Sequence, residues 1–394
     1  MKPTRFFRIF SLVSCFLLTA ATVFAQPDPI GGSRSRNFPD ISYTVSPTRA
    51  VQTDLVKQVT AMPEFKEFFD AFTAKIDGEY AKVSNQPGFP APVADYFLDK
   101  IRSAKGGTDV SPKDALELFF SEIELIQFEG FAKKAYDEGV IKTEENNPEA
   151  IKYLRLTIVT KFGPAELSGI LDFVPPFVPF EMFKSSENDF LVSFGDPNNA
   201  ENKLFVGGQK LEGRDSYVTV LSLNRELVEQ KLTMMQNERF RMFMFGDNAP
   251  VKSLLVSRGV FDVLKAEVQK KIDSGTANSG EKDALRIIEQ VNSFSVTTRD
   301  IDGKTGTQIR LALTGEDSAE GLKDMANAGK AILRFMAGSE SVDADARKLI
   351  NFVLNTQVVR EGTNLTATIN WSSDEFLQFV KDGLKKGTTE LNKQ

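Results

Sequence analysis

Apolar side chains recur with two different periods along this chain, and the two periods separate its predicted helices from its predicted strands. The helical period is clearest where five side chains lie three or four residues apart: Phe65, Phe68, Phe69, Phe72 and Ile76. This spacing predicts one buried stripe of an amphipathic helix. A Pro-rich break follows at residues 85–92, and a second helix is predicted over 93–104. We therefore interpret residues 51–110 as a helical N-terminal region.

The last third of the chain alternates between the helical period and the strand period of two. Helices are predicted over 281–291, 317–336 and 343–354, and a last helix opens at Ser373 with Phe376, Val380 and Leu384 on one face. Strands are predicted over 293–299, 307–313, 357–360 and 365–370. Asp302-Gly303 predicts a hairpin turn between the first two strands. The second pair of strands joins at Glu361-Gly362.

Short matches in the same order indicate an internal repeat. Lys113-Asp114-Ala115-Leu116 matches Lys282-Asp283-Ala284-Leu285, and Leu154-Arg155-Leu156 matches Ile309-Arg310-Leu311. Ala165-Glu166 matches Ala319-Glu320, and Glu212-Gly213 matches Glu361-Gly362. The order predicts a first repeat over 111–245 and a second over 246–394. The expected fold class is α+β, with two duplicated units of antiparallel sheet, each covered by helices on one side. We expect the two units to bury like faces against each other about a pseudo-twofold axis.

The N-terminus has the layout of a secretory signal peptide. Lys2, Arg5 and Arg8 precede an apolar run over 9–24, and small residues at Val23 and Ala25 predict cleavage between Ala25 and Gln26. The predicted location is therefore secreted or periplasmic, and no later segment is apolar enough to span a bilayer. A lipoprotein signal at Cys15 fits less well, because most of the apolar run follows that residue. Residues 26–50 lack periodicity and predict a flexible leader.

Composition excludes several chemistries. The chain has no His, and its one Cys lies inside the predicted signal, which removes Ser-His-Asp triads, Cys-His dyads and most zinc sites. It also leaves no disulfide framework. The formal net charge is −6, and no basic stripe suggests nucleic-acid binding. We expect no cofactor and no metal, and the oligomeric state stays open.

The remaining catalytic patterns are weak. Ser279 and Lys282 have the S-x-x-K spacing and Lys304-Thr305-Gly306 reads K-T-G, yet helix capping by Ser279 and a hairpin turn explain them as well. Five acids could form a catalytic pair, although a solvated charge is the simpler interpretation of each: Glu122, Glu124, Glu129, Asp172 and Glu181.

The least ordinary segment is 173–183, in which three Pro residues alternate with Phe and Val. Pro excludes a regular helix and a central strand there, so the apolar side chains must either pack on the domain or contact a ligand. The candidate contact residues are Phe173, Phe177, Phe180 and Phe183.

The leading interpretation is an exported, non-enzymatic protein that binds a partner protein or an apolar ligand. One alternative is a His-free hydrolase that uses carboxylates or Ser and Lys. Another is a peripheral protein that contacts envelope lipids through residues 173–183.

Overall fold

The computed structural model describes residues 38–84, 120–141, 148–161, 179–186, 188–195, 203–246, 249–301, 303–337, 354 and 356–393. The strands are β1 Ile41–Val45, β2 Ile123–Gly130, β3 Leu154–Thr160, β4 Phe180–Ser185, β5 Asp189–Phe194, β6 Leu204–Lys210, β7 Tyr217–Ser222, β8 Lys252–Val256, β9 Val291–Ile301, β10 Lys304–Leu313, β11 Gln357–Glu361 and β12 Asn364–Asn370. The α-helices are α1 Pro47–Ala50, α2 Asp54–Thr60, α3 Pro63–Ser84, α4 Ala132–Asp137, α5 Arg225–Gln236, α6 Glu238–Phe245, α7 Arg258–Asp273, α8 Ser279–Gln290, α9 Glu316–Ala337 and α10 Asp374–Lys393.

All twelve strands form one sheet in the order β11-β12-β10-β9-β8-β1-β2-β3-β7-β6-β5-β4. Every pairing is antiparallel, which confirms the predicted α+β class. Strands β1 to β7 form the first half of the sheet, and strands β8 to β12 form the second half. The two halves meet edge to edge where β1 pairs with β8. The expectation that two separate units pack face against face is therefore wrong, because the backbone hydrogen bonds continue from one half into the other.

Strand order is the same on both sides of that junction. The first half runs β1-β2-β3-β7-β6 outward from the centre, and the second runs β8-β9-β10-β12-β11. The first half then adds β5 and β4 at its outer edge. This shared order agrees with the predicted repeat, while the duplication itself stays a prediction.

The prediction of a flexible leader over 26–50 is wrong for its last ten residues. Ile41–Val45 forms β1 at the centre of the sheet, with β2 on one side and β8 on the other. Pro47 then begins α1. Five alternating residues next to Pro, Gly and Ser resemble a loop in isolation, and this strand is specified by partners far along the chain. The signal peptide and residues 85–119 lie outside the described residues.

The elements predicted for the second half are confirmed wherever they are described. α8, β9, β10, α9, β11, β12 and α10 each overlap the predicted range. Gly303 has a φ of 74° in the tight turn between β9 and β10, a conformation that favours glycine. Phe376 and Leu384 are buried on one face of α10. The helix predicted over 343–354 lies outside the described residues except for its last position.

Helices cover opposite faces in the two halves. Residues that lie opposite each other in an antiparallel ladder point to the same face of the sheet. α5 and α6 pack on one face of the first half, where Val228, Met235 and Met244 join Val218 and Val220. In the second half, α2, α3 and α10 form a cluster with Ile369 and Trp371. Ile369 lies opposite Thr307, and the strand pairings place both side chains on the face of the sheet that α5 and α6 do not cover. The described helices therefore cover different faces of the sheet in the two halves.

The cap of α8 gives a first test. Ser279 is the cap expected from sequence, but Asn278 occupies the N-cap: its side chain accepts from the backbone N–H of Glu281, and the Glu281 carboxylate accepts from that of Asn278. We expect Asn278→Ala to lower the free energy of unfolding by about 1 kcal/mol in urea titrations. The control Ser279→Ala should leave it unchanged, and the opposite order of effects would contradict the assignment.

Candidate functional site

The first half of the sheet has an unusual distribution of polar and apolar side chains. Along β2 and β3, alternate residues point to opposite faces. The face beneath α5 carries Gln127, Glu129, Arg155 and Thr157, and all four are buried. A strand with one solvated face normally places its apolar side chains inward. Here the inward face of two neighbouring strands carries charge.

Three charged groups meet beneath α5 in a buried ionic cluster of Glu129, Arg155 and Lys231. Arg155 Nε donates to Glu129 Oε2 at 2.8 Å, and Lys231 Nζ donates to Glu129 Oε1 at 3.1 Å. The side chains of Arg155 and Lys231 are fully buried, and that of Glu129 is 2 % exposed. The cluster therefore ties α5 to β2 and β3 without access to solvent.

Neutral groups complete this cluster. Gln127 accepts from Lys231 Nζ at 2.5 Å and donates to the Ser42 hydroxyl on β1 at 2.8 Å. Arg155 Nη1 donates to the Leu227 carbonyl of α5 at 2.9 Å. The Arg155 guanidinium also lies over the Phe131 ring, 5.0 Å from its centroid. Arg155 Nη2 has no hydrogen-bond partner.

Burial and charge act in opposite directions on the pKa values of this cluster. Burial alone would raise the pKa of Glu129, but Lys231 and Arg155 outweigh it and hold that pKa below its ordinary value. Burial lowers the pKa of Lys231 to about 8, although Glu129 opposes the shift. A substrate could not reach these groups, so we interpret the cluster as a structural anchor for α5.

The opposite face of the same strands is apolar. We call it the open face and define it by seven side chains of β2, β3, β6 and β7: Ile126, Phe128, Leu154, Leu156, Ile158, Val206 and Leu221. Phe128 lies opposite Leu156, and Leu156 lies opposite Leu221 on the next strand. The apolar row therefore continues without interruption from β2 to β6.

Exposure distinguishes the open face from a core. The side chains of Phe128 and Leu154 are 52 % and 53 % exposed, and the other five members of the open face are half-buried. No member of the open face belongs to the four hydrophobic clusters formed by described residues. Apolar side chains that stay accessible outside any core often mark interaction sites in folded proteins. The open face is therefore our candidate functional site.

Two of the four contact residues predicted from sequence are described. Phe180 begins the edge strand β4 and is 56 % exposed, opposite Phe194 on β5. It lies on the same side of the sheet as the open face. Phe183 instead packs against Phe205, with the Arg225 guanidinium 4.4 Å from its ring centroid, on the face that α5 covers. Phe173 and Phe177 lie outside the described residues.

The candidate catalytic groups are dispersed. Thr305 follows the hairpin turn, accepts from the backbone N–H of Leu55 and donates to Asp300, so it anchors α2 to β10. Glu124 pairs with Arg214 and accepts from Ser216. Glu181 is exposed on the edge strand β4 and pairs with Lys203. Asp172 lies outside the described residues.

A shallow depression lies at the turn between β6 and β7. Its volume is about 670 Å³, and its charged lining includes Lys210, Glu212, Arg214 and Asp215. Asp215 pairs with Lys210, and Glu212 pairs with Arg241. Within the part of the chain that the structure describes, no group of three or more His, Cys, Asp or Glu side chains could hold a metal ion.

Sequence reasoning missed the open face. Its signal is present in β2 and β3, where Ile, Phe and Leu alternate with Gln, Glu, Arg and Thr. The alternation predicts a strand. It does not identify the buried face of that strand when the polar side chains can form hydrogen bonds and ion pairs inside the protein. Lys231, more than 100 residues away on α5, supplies the charge that makes burial of Glu129 possible.

No protein-family model matches the chain, and no curated protein matches it. Solved structures of the protein TP0453 are similar to it over most of its length. Crystal form III has a TM-score of 0.33 and 10 % identity and covers 91 % of this chain and 99 % of that chain. Crystal form IV has a TM-score of 0.34 and 8 % identity and covers 87 % and 92 %. Similarity this distant supports no argument about function. Among the described helices, none combines the length and apolar character needed to cross a membrane.

Proposed function

We propose that this protein is an exported binding protein that holds an apolar ligand on the open face. The observation that carries the proposal is the arrangement of β2 and β3, in which apolar side chains are exposed while a charged cluster is buried on the other side. Covering one large apolar side chain contributes about 1.5–3 kcal/mol. The signal-peptide pattern of residues 1–25 supports an extracytoplasmic location.

A non-enzymatic role is the simpler proposal, because several of the described candidate groups are engaged in structural contacts. Thr305 holds α2, Glu124 holds Arg214, and Glu129 belongs to a cluster closed to solvent. General acid–base chemistry needs a group within hydrogen-bond reach of a bound substrate. Phe180 and Met182 are exposed on the edge strand on the same side of the sheet, although the fully buried Val192 separates them from the open face.

Nile red, a neutral dye that fluoresces in apolar surroundings, tests this proposal. We expect the double variant Phe128→Ser, Leu156→Ser to bind the dye at least about tenfold more weakly than the wild-type protein, because two apolar contacts are lost. Fluorescence titration measures the affinity, and circular dichroism checks the fold.

The matched control is Ile287→Ser, which removes an exposed apolar side chain from α8. It should leave dye binding unchanged. Equal affinities for the wild-type protein and the double variant would refute the open face as the binding surface. Flotation of the protein with neutral phosphatidylcholine vesicles, abolished by Phe180→Ser, would instead favour direct contact with envelope lipids.

A further inference from the structure

Lys252 is a largely buried lysine at the border of the open face, and it has no counter-ion among the described residues. Lys252 begins β8, and it lies opposite Val45 on β1 and Thr298 on β9. The residue is only 5 % exposed. Its ammonium nitrogen lies 5.4 Å from the centroid of the Tyr43 ring. Because Tyr43 is on the neighbouring strand β1, the ammonium group is directed toward the first half of the sheet.

No described residue forms an ion pair or a hydrogen bond with this ammonium group. Lys231, which is also deeply buried, pairs with Glu129. Burying an unpaired charge is costly, and natural proteins normally pair such a group. The cation–π contact with Tyr43 offsets part of that cost. Burial also lowers the pKa of Lys252 to about 8, so the side chain is mostly protonated at neutral pH.

An apolar track starts at this lysine. The residues that follow it across the sheet, one per strand, are Val45, Ile126 and Ile158. The adjacent row begins with Leu254 and Tyr43 and continues through Phe128 and Leu156. Neighbouring strands are about 4.8 Å apart, so the track from β8 to β7 is roughly 19 Å long.

We propose that the open face binds a long-chain carboxylate, with its carboxylate on the Lys252 ammonium group and its acyl chain across β1, β2 and β3. This inference rests on the proposed function, because it assigns a ligand class to the same surface. A single ammonium group with little exposure suits a small monoanionic head. A phosphodiester head with two acyl chains would need more donors and a wider track than Lys252 and these two rows provide.

Competition between two ligands of equal chain length tests the inference. Dodecanoate below its micellar concentration and dodecanol below its solubility limit each compete with Nile red for the purified protein at pH 7. We expect dodecanoate to displace the dye at a concentration about tenfold lower than dodecanol, because charge-assisted hydrogen bonds are the strong ones. Lys252→Met should remove this preference, and Lys252→Arg, which keeps the charge, should retain most of it.

Lys304→Met is the matched control, since Lys304 is an exposed strand lysine in the second half. It should preserve the preference for dodecanoate. If the wild-type protein binds the two ligands equally, or if Lys252→Met keeps the preference, the carboxylate assignment is refuted while an apolar site remains. If neither ligand displaces the dye and Phe128→Ser leaves dye binding unchanged, both the assignment and the proposed function fail.

Discussion

Glu129→Leu is expected to lower the free energy of unfolding by about 3 kcal/mol at pH 7. The substitution leaves Arg155 buried without its carboxylate partner, which lies 2.8 Å away in the wild-type protein. Lys231 also loses its counter-ion, but its pKa is already lowered to about 8, so it can release its proton and relieve part of the cost. Arg155 cannot do so, because a guanidinium group stays protonated in proteins. Urea unfolding followed by circular dichroism measures the loss.

Two comparisons make the result specific to the cluster. The double variant Glu129→Leu, Lys231→Met should be more stable than Glu129→Leu alone, because one uncompensated charge is gone. Glu181→Leu removes an acid from a more exposed ion pair with Lys203 and should change the stability by less than about 0.5 kcal/mol. A loss below about 1 kcal/mol for Glu129→Leu would mean that the cluster does not anchor α5.

Trp371→Ala is expected to be comparably damaging in the other half, with a loss of about 3–5 kcal/mol. The indole is buried between β12 and α10, its ring centroid 4.9 Å from that of Phe376. Its N–H donates to the Thr307 hydroxyl at 2.6 Å. Removing it opens a cavity in the cluster through which α2, α3 and α10 cover the sheet. Urea unfolding followed by circular dichroism measures the change.

The control is Phe379→Ala, which truncates a more exposed aromatic residue of the same helix. It should cost less than about 1 kcal/mol. Trp371→Phe should fall between the two, because it keeps an aromatic ring but loses the hydrogen bond. If Trp371→Ala and Phe379→Ala have equal effects, Trp371 does not support the packing of α10. Since Trp371 is the only Trp in the chain, tryptophan fluorescence of the wild-type protein reports changes in the environment of this cluster.

Elements with strong local signals could be predicted from sequence, and elements that depend on distant partners could not. The segment from α8 to α10 contains clear turn residues and long periodic runs of apolar side chains. Its described helices and strands begin and end within a few residues of the predicted bounds. β1 was missed because five residues carry little local information. Its position follows from pairing with β2 and β8, and no local pattern encodes those pairings.

The candidate site shows the same limit more sharply. The alternation in β2 and β3 predicts strands, but hydrophobicity alone would bury Ile126 and Phe128 and expose Gln127 and Glu129. The reverse arrangement occurs because Lys231, Arg155 and Ser42 satisfy the buried polar groups. Lys252 gave no signal either, since a lysine at the start of a strand is ordinarily solvated. Both features depend on which strands become neighbours.

The central position of β1 has a consequence for the order in which the chain can fold. Residues 41–45 are made early, yet one of their two partners, residues 252–256, follows roughly 200 residues later. β1 therefore keeps one unpaired edge until the second half of the chain is present. Closure over so long a loop is slow, because its entropic cost must be met before any contact is formed. If the proposed export is correct, β1 keeps this open edge until residues 252–256 have also crossed the membrane, and the continuous sheet forms only then.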